Sequence, residues 1–152
     1  MSIFHSMNNT ASALTAQRLR MDVISSNMAN VDSTRARVVN GEWQPYRRKS
    51  VVLEPKEGQF SSFLNTAMNR TGSHSVGNGV KVSRIIEDQT PFKLVYDPEH
   101  PDANNEGYVE LPNVDPLREM VDLMSATRSY EANVTVFNAS KGMMMKALEI
   151  GK

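Results

Sequence analysis

Cysteine is absent from this 152-residue chain, which excludes a disulfide framework and thiol chemistry. Net charge is absent too, because 17 basic residues balance 17 acidic ones. A general binder of nucleic acid or of an anionic membrane normally carries a basic excess, so neither partner is expected. A net charge near zero also leaves little colloidal repulsion, which suits a protein that associates. No apolar run approaches the roughly 20 residues that cross a bilayer, so no transmembrane segment is expected. Met1 to Ser6 shows neither a basic n-region nor an apolar h-region, so no Sec signal peptide is expected.

Histidine is scarce and scattered, at His5, His74 and His100. There is no His-x-x-x-His pair and no Ser-His-Asp order with a supporting motif, so no catalytic or metal-binding residue is nominated. The loop Thr71 to Gly79 ends without Gly-Lys-Ser/Thr and runs into the strand-like Val80-Lys81-Val82. That excludes a nucleotide cradle, and no cofactor or small-molecule substrate is expected. Asp97 to Tyr108 is rich in oxygen ligands but lacks the spacing of an EF-hand and contains two prolines. It reads as a proline-stiffened surface loop.

What the chain does have is concentrated at its ends. After Pro116 no proline occurs, and the only glycine before Ile150 is Gly142. Met120, Leu123, Thr127, Tyr130, Val134, Phe137, Lys141, Met144 and Leu148 follow alternating spacings of three and four, and seven of the nine are apolar or aromatic. This is a heptad pattern and predicts a long helix. Asp115 fits its N-cap, Pro116 its first position, and Glu119 sets negative charge near the positive helix end. Leu117, Val121 and Met124 form a second stripe, and beyond Val134 apolar residues occur on several sides. One partner helix cannot cover such a surface. A second heptad stripe, Met7, Leu14, Met21 and Met28, predicts a helix from Ile3 to Asn30. Two readings of it remain open: a single amphipathic helix lying on a core, or a coiled-coil strand paired with the C-terminal helix. Asn30-Val31-Asp32-Ser33-Thr34 ends it, with Asn30 suited to a left-handed C-terminal position. Eight of the ten methionines, all but the initiator and Met68, are soft and adaptable packing residues in these terminal thirds.

The middle differs. Residues 35–112 hold six of the seven prolines and six of the eight glycines. Gly41-Glu42 reads as a turn, Arg47 to Glu54 as a strand, and Gln59 to Asn69 as a short helix or ordered loop. Val80 to Ile86 and Phe92 to Asp97 read as strands paired with each other, and Tyr108 to Leu111 as a last strand. Phe92, Leu94 and Tyr96 alternate with Lys93 and Val95. The basic cluster Tyr46-Arg47-Arg48-Lys49 reads as charge on an edge strand, ahead of contact with an acidic neighbour. The expected fold class is therefore α+β. Long N- and C-terminal helices form an antiparallel coiled-coil-like pair beside a small β-rich region. The expected divisions are 1–34, 35–112 and 113–152.

These residues resemble a known family. Ser25-Ser26-Asn27-Met28-Ala29-Asn30-Val31-Asp32-Ser33-Thr34 is similar to the N-terminal signature of bacterial flagellar rod and hook proteins. His100-Pro101-Asp102-Ala103, Gly107-Tyr108-Val109, Pro112-Asn113-Val114-Asp115, Glu119 to Met124 and Arg128 to Val134 narrow the resemblance to proximal rod proteins of the basal body. It covers both ends and the second half of the middle, and is thinnest over 35–79. Arg35 stands where many of the family carry glycine.

The resemblance implies a structural protein and no enzyme. Paired terminal helices would line a tubular assembly that transmits motor torque and passes exported subunits. Implied partners are other rod proteins, proximal and distal, a membrane-ring and export-gate adaptor, and the flagellar type III export apparatus. The implied location is the basal body within the cell envelope. Met7, Leu14, Met21, Met28, Asn30, Leu123, Tyr130, Val134, Phe137, Met144 and Leu148 are the expected interface residues. Two other functions fit parts of the sequence: a stand-alone coiled-coil adaptor or secreted binding protein, and a metal-dependent enzyme built on the loop around His100.

Overall fold

A computed structural model describes residues 3–56 and 78–151. Its elements, in order, are α1 (Ile3–Ala29), β1 (Arg37–Val39), β2 (Glu42–Gln44), β3 (Lys49–Pro55), β4 (Val80–Glu87), β5 (Lys93–Tyr96), β6 (Tyr108–Leu111) and α2 (Pro116–Ile150). The class is α+β: two helices, one toward each end, with short strands between them. The element expected at Gln59 to Asn69 lies outside the described residues.

The helix ends follow local chemistry. Asp115 Oδ1 accepts the Leu117 N–H at 3.0 Å, so Asp115 caps α2 while Pro116 takes the first helical position. The 35 residues of α2 reach about 50 Å at roughly 1.5 Å per residue. The C-terminus of α1 departs from expectation. Asn30 has no positive φ, which among non-glycine described residues occurs only at Asn40. Asn30 instead ends the helix with its side chain. Its Nδ2 donates to the Ser26 carbonyl at 2.9 Å, and its Oδ1 accepts the Ser33 hydroxyl at 3.1 Å.

Three two-stranded sheets occupy the middle, pairing β1 with β2, β3 with β4, and β5 with β6. In the β1–β2 hairpin, Asn40 and Gly41 both have positive φ, at 55° and 91°. Those values suit a two-residue turn matched to strand twist, and they set the turn one residue earlier than Gly41-Glu42. The expected pairing of β4 with β5 is incorrect. Residues 88–92 do not close a hairpin because Asn113 binds them: its Nδ2 donates to the carbonyls of Asp88 and Thr90. Pro91 also has no N–H to give a ladder. β5 therefore pairs antiparallel with β6, Lys93 opposite Leu111 and Tyr96 opposite Tyr108.

Contacts divide the chain into two units. One comprises Met1–Arg18, Val52–Arg84 and Thr127–Lys152. Its buried described residues are small: Thr10, Ala16 and Ser140. Both hydroxyls bond carbonyls four residues back in their own helix, so neither is left unpaired. Ser12 Oγ donates to the Asn9 carbonyl and accepts the Val80 N–H at 3.1 Å. The neighbouring Gly79 has φ +90°, and a Cβ there would run into the Ser12 hydroxyl and lie 3.3 Å from Asn9 Cα. Glycine is required at that crossing on both grounds.

The other unit comprises Leu19–Val51 and Ile85–Ala126. Val23, Ile24, Tyr46, Val109, Val114 and Ala126 form its buried apolar core. Val95, half-buried opposite the buried Val109, points inward, whereas Leu94 and Tyr96 are exposed. The alternation along β5 is as expected, and Val95 stands on its inward face. Val109 decides this, because the cross-strand partner of a buried residue shares its face.

Candidate assembly surface

At the centre of the second unit lies a polar cluster, not an apolar one. Asn27 and Glu119 are both 0% exposed. Asn27 Nδ2 donates to the Lys49 carbonyl at 2.8 Å and to Glu119 Oε2 at 3.0 Å. Its Oδ1 accepts the Lys49 N–H at 3.0 Å and the Tyr46 hydroxyl at 3.1 Å. All four hydrogen-bonding positions of the amide are therefore filled. The other Glu119 oxygen accepts Arg48 Nε at 2.6 Å. The same guanidinium reaches Asp122 at 3.4 Å and Asp88 at 3.9 Å. Asn113 Oδ1 accepts the Arg48 N–H at 2.8 Å.

Arg48 thus overturns the edge-strand reading of the basic cluster. Its side chain is largely buried among three carboxylates. Arg47 lies over the Phe92 ring at 4.3 Å and Lys49 over Tyr46 at 5.5 Å. Glu119 is more than a favourable charge at a helix end, since it is drawn fully inside. Arg20 and Asp122 pair at 3.5 Å. Going from residue 20 to 27 along α1 means going back from 122 to 119 along α2, so within this unit the two helices run antiparallel.

The expected interface residues fall as follows. In the first unit Met7 and Leu14 are half-buried, beside the buried Thr10 and Ala16. In the second unit Met21, Met28 and Asn30 are half-buried, beside Val23, Ile24 and Asn27. The methionine stripe of α1 therefore flanks the innermost line of the helix and does not form it. Thr10, Ala16, Val23, Ile24 and Asn27 occupy that line. On α2, Leu123 is half-buried in the second unit, and Tyr130, Val134, Phe137 and Met144 are half-buried in the first. Leu148 is 75% exposed.

The remaining apolar side chains of α2 lie in the open. Leu117, Met120, Val121 and Met124 in the second unit are all exposed, at spacings that form one helical stripe. In the first unit Val136, Met143, Met145 and Ile150 are exposed, the last at 86%. Covering one such side chain is worth about 1.5–3 kcal/mol. Contiguous exposed apolar surface of this kind marks an interaction site. Among the described residues no group of three His, Asp or Glu side chains is arranged to hold a metal ion. No described helix is long and apolar enough to cross a membrane.

Sequence reasoning named Asn30 but missed Asn27, Arg48, Asn113 and Glu119 as the residues that hold the helices and β3 together. One signal was available: Asn27 follows the apolar Val23 and Ile24 at helical spacing, so it shares their inward face.

Two family models match this arrangement. The model for "Flagella basal body rod protein" matches residues 7–37, and that for "Flagellar basal body rod FlgEFG protein C-terminal" matches residues 105–150. The first contains most of α1 with Asn27, and the second contains β6 and α2 with Glu119 and the exposed stripe. These matches define a class, the rod proteins of the flagellar basal body.

Full-length relatives narrow it. The chain is 69% identical over 152 residues, the whole of both proteins, to the flagellar basal-body rod protein FlgC of Bacillus subtilis (strain 168). It is 44% identical to that of Borreliella burgdorferi over 99% of the chain and 98% of that protein. It is 42% identical to that of Salmonella typhimurium over the full length of both. The chain belongs to the FlgC family of flagellar basal-body rod proteins, whose members are structural and not enzymes.

Proposed function

We propose that the chain builds the proximal rod, a hollow shaft that transmits motor torque across the envelope and passes exported subunits. The segments 1–34 and 113–152 act as one assembly domain, and 35–112 forms the central β-rich region. The terminal helices pair in a coiled-coil-like manner. Their remaining apolar faces pack on neighbouring subunits through heterologous contacts, which continue as a helical tube where a self-complementary contact would close into a dimer. Partners are the other rod proteins, proximal and distal, and a membrane-ring and export-gate adaptor. The subunit leaves the cell body through the flagellar type III export apparatus.

One observation carries this reading: large apolar side chains stand exposed along α2 from Leu117 to Ile150. The test is a pair of substitutions, Val134→Asp on the half-buried seam and Val121→Asp on the exposed stripe. Both proteins should unfold cooperatively after purification, yet cells carrying either should form no rod and not swim. Normal swimming with both would overturn the proposal. So would sedimentation of the purified wild-type subunit as a discrete small oligomer, the behaviour of a stand-alone coiled-coil adaptor.

A further inference from the structure

We infer that Asn27, Arg48 and Glu119 form a register lock that selects one alignment of α1 against α2 before any neighbour arrives. Heptad stripes alone do not select it. A seven-residue slip returns methionine or leucine to nearly equivalent places along Met7, Leu14, Met21 and Met28. Apolar contact is tolerant of such slips, whereas buried hydrogen bonds are not.

The geometry of the lock is specific to one alignment. Asn27 takes both the N–H and the carbonyl of Lys49, as a neighbouring strand would, and so fastens α1 to the first residue of β3. The same amide donates to Glu119 on α2, and Glu119 is held from its other oxygen by Arg48, the residue preceding β3. Asn113 then fixes the Arg48 backbone from the segment that leads into α2. A slip of either helix would leave the Asn27 amide or the Glu119 carboxylate buried without partners. Buried polar groups of this kind add little net stability, because removing charge from water costs about what the pairing returns. Their best-attested use is to specify alignment.

This separates a register role from a merely stabilising one. Asn27→Ala orphans buried groups and should lower the unfolding temperature of the full chain by about 10 °C. The triple variant Asn27→Leu, Arg48→Met, Glu119→Leu removes the three side chains together, leaving the Lys49 backbone groups and the Tyr46 hydroxyl without them but no unpaired Glu119 charge, so it should unfold no lower than Asn27→Ala. Register is read by crosslinking, which the absence of native cysteine makes simple. Cysteine pairs Arg20→Cys with Asp122→Cys, Ala13→Cys with Asp122→Cys, and Arg20→Cys with Ser129→Cys report the native alignment and one heptad slip in each direction. A short bismaleimide should join the first pair at least tenfold faster than the others in the otherwise wild-type chain. In the triple variant the preference should fall to threefold or less. A triple variant that keeps the tenfold preference would overturn the lock, as would one that unfolds well below Asn27→Ala. All of this is measured on the free subunit, so its failure is distinct from failure of the assembly proposal, which is read from rods and swimming.

Discussion

Asp102 accepts a 2.7 Å hydrogen bond from the Thr34 hydroxyl and pairs with the Arg35 guanidinium just beyond α1. The Thr34 bond first, and Arg35 next, hold its carboxyl below the ordinary carboxylate range. Asp88 is held down likewise, chiefly by the Thr90 backbone N–H. A carboxylate with a depressed folded pKa binds fewer protons folded than unfolded. Its contribution is complete above the unfolded value of about 3.9 and is lost as pH falls through the folded value. Urea unfolding followed from about pH 6 to pH 2 should therefore show stability declining below about pH 5. Asp102→Asn should make that decline shallower. Arg35 is part of this hold, and a glycine there would remove its ion pair with Asp102. None of this was legible in the sequence, because Thr34 and Asp102 lie 68 positions apart.

At the scale of elements, both helices were readable because their information is local. Heptad spacing, the Asp115 cap and Pro116 at the first position each act within one or two turns. Gly142 is the one weak link inside α2. A Cβ there would meet nothing within 4 Å, so Gly142→Ala should stabilise the free subunit by about 0.5–1 kcal/mol. The expected rise in unfolding temperature is about 1–4 °C, measured from helical circular dichroism on heating. Four of the six described strands were located, β1 and β2 were missed, and the one pairing expected was wrong. Val80 to Ile86 and Phe92 to Asp97 looked like a hairpin because a turn-rich segment lies between them. A side chain from residue 113 captures that segment instead. Strand location depends on neighbours in sequence, while pairing depends on which carbonyls are already taken.

For the whole molecule the question is how much apolar surface one chain leaves uncovered. Val121 is exposed in the subunit, and surface substitutions at such positions usually change stability by less than about 0.5 kcal/mol. If the stripe is an assembly face, Val121→Asp leaves the subunit nearly as stable while each copy in a rod would bury an unpaired charge. Unchanged melting together with absent rods is therefore the expected combination, checked by calorimetry and by electron microscopy of basal bodies. The seam residues Tyr130, Val134, Phe137 and Met144 are half-buried, so Val134→Asp should cost the free subunit more. By itself the sequence determined the two helices, the Asp115 cap of α2, the α+β class and the family resemblance, because periodicity and contiguous motifs are carried by neighbouring residues. Only the tertiary structure decided that Asn27 and Glu119 are inside, that Arg48 joins them, that β5 pairs with β6, and that the innermost line of α1 runs beside its methionines. Those outcomes depend on which distant groups can satisfy a buried hydrogen bond, and no local pattern records that.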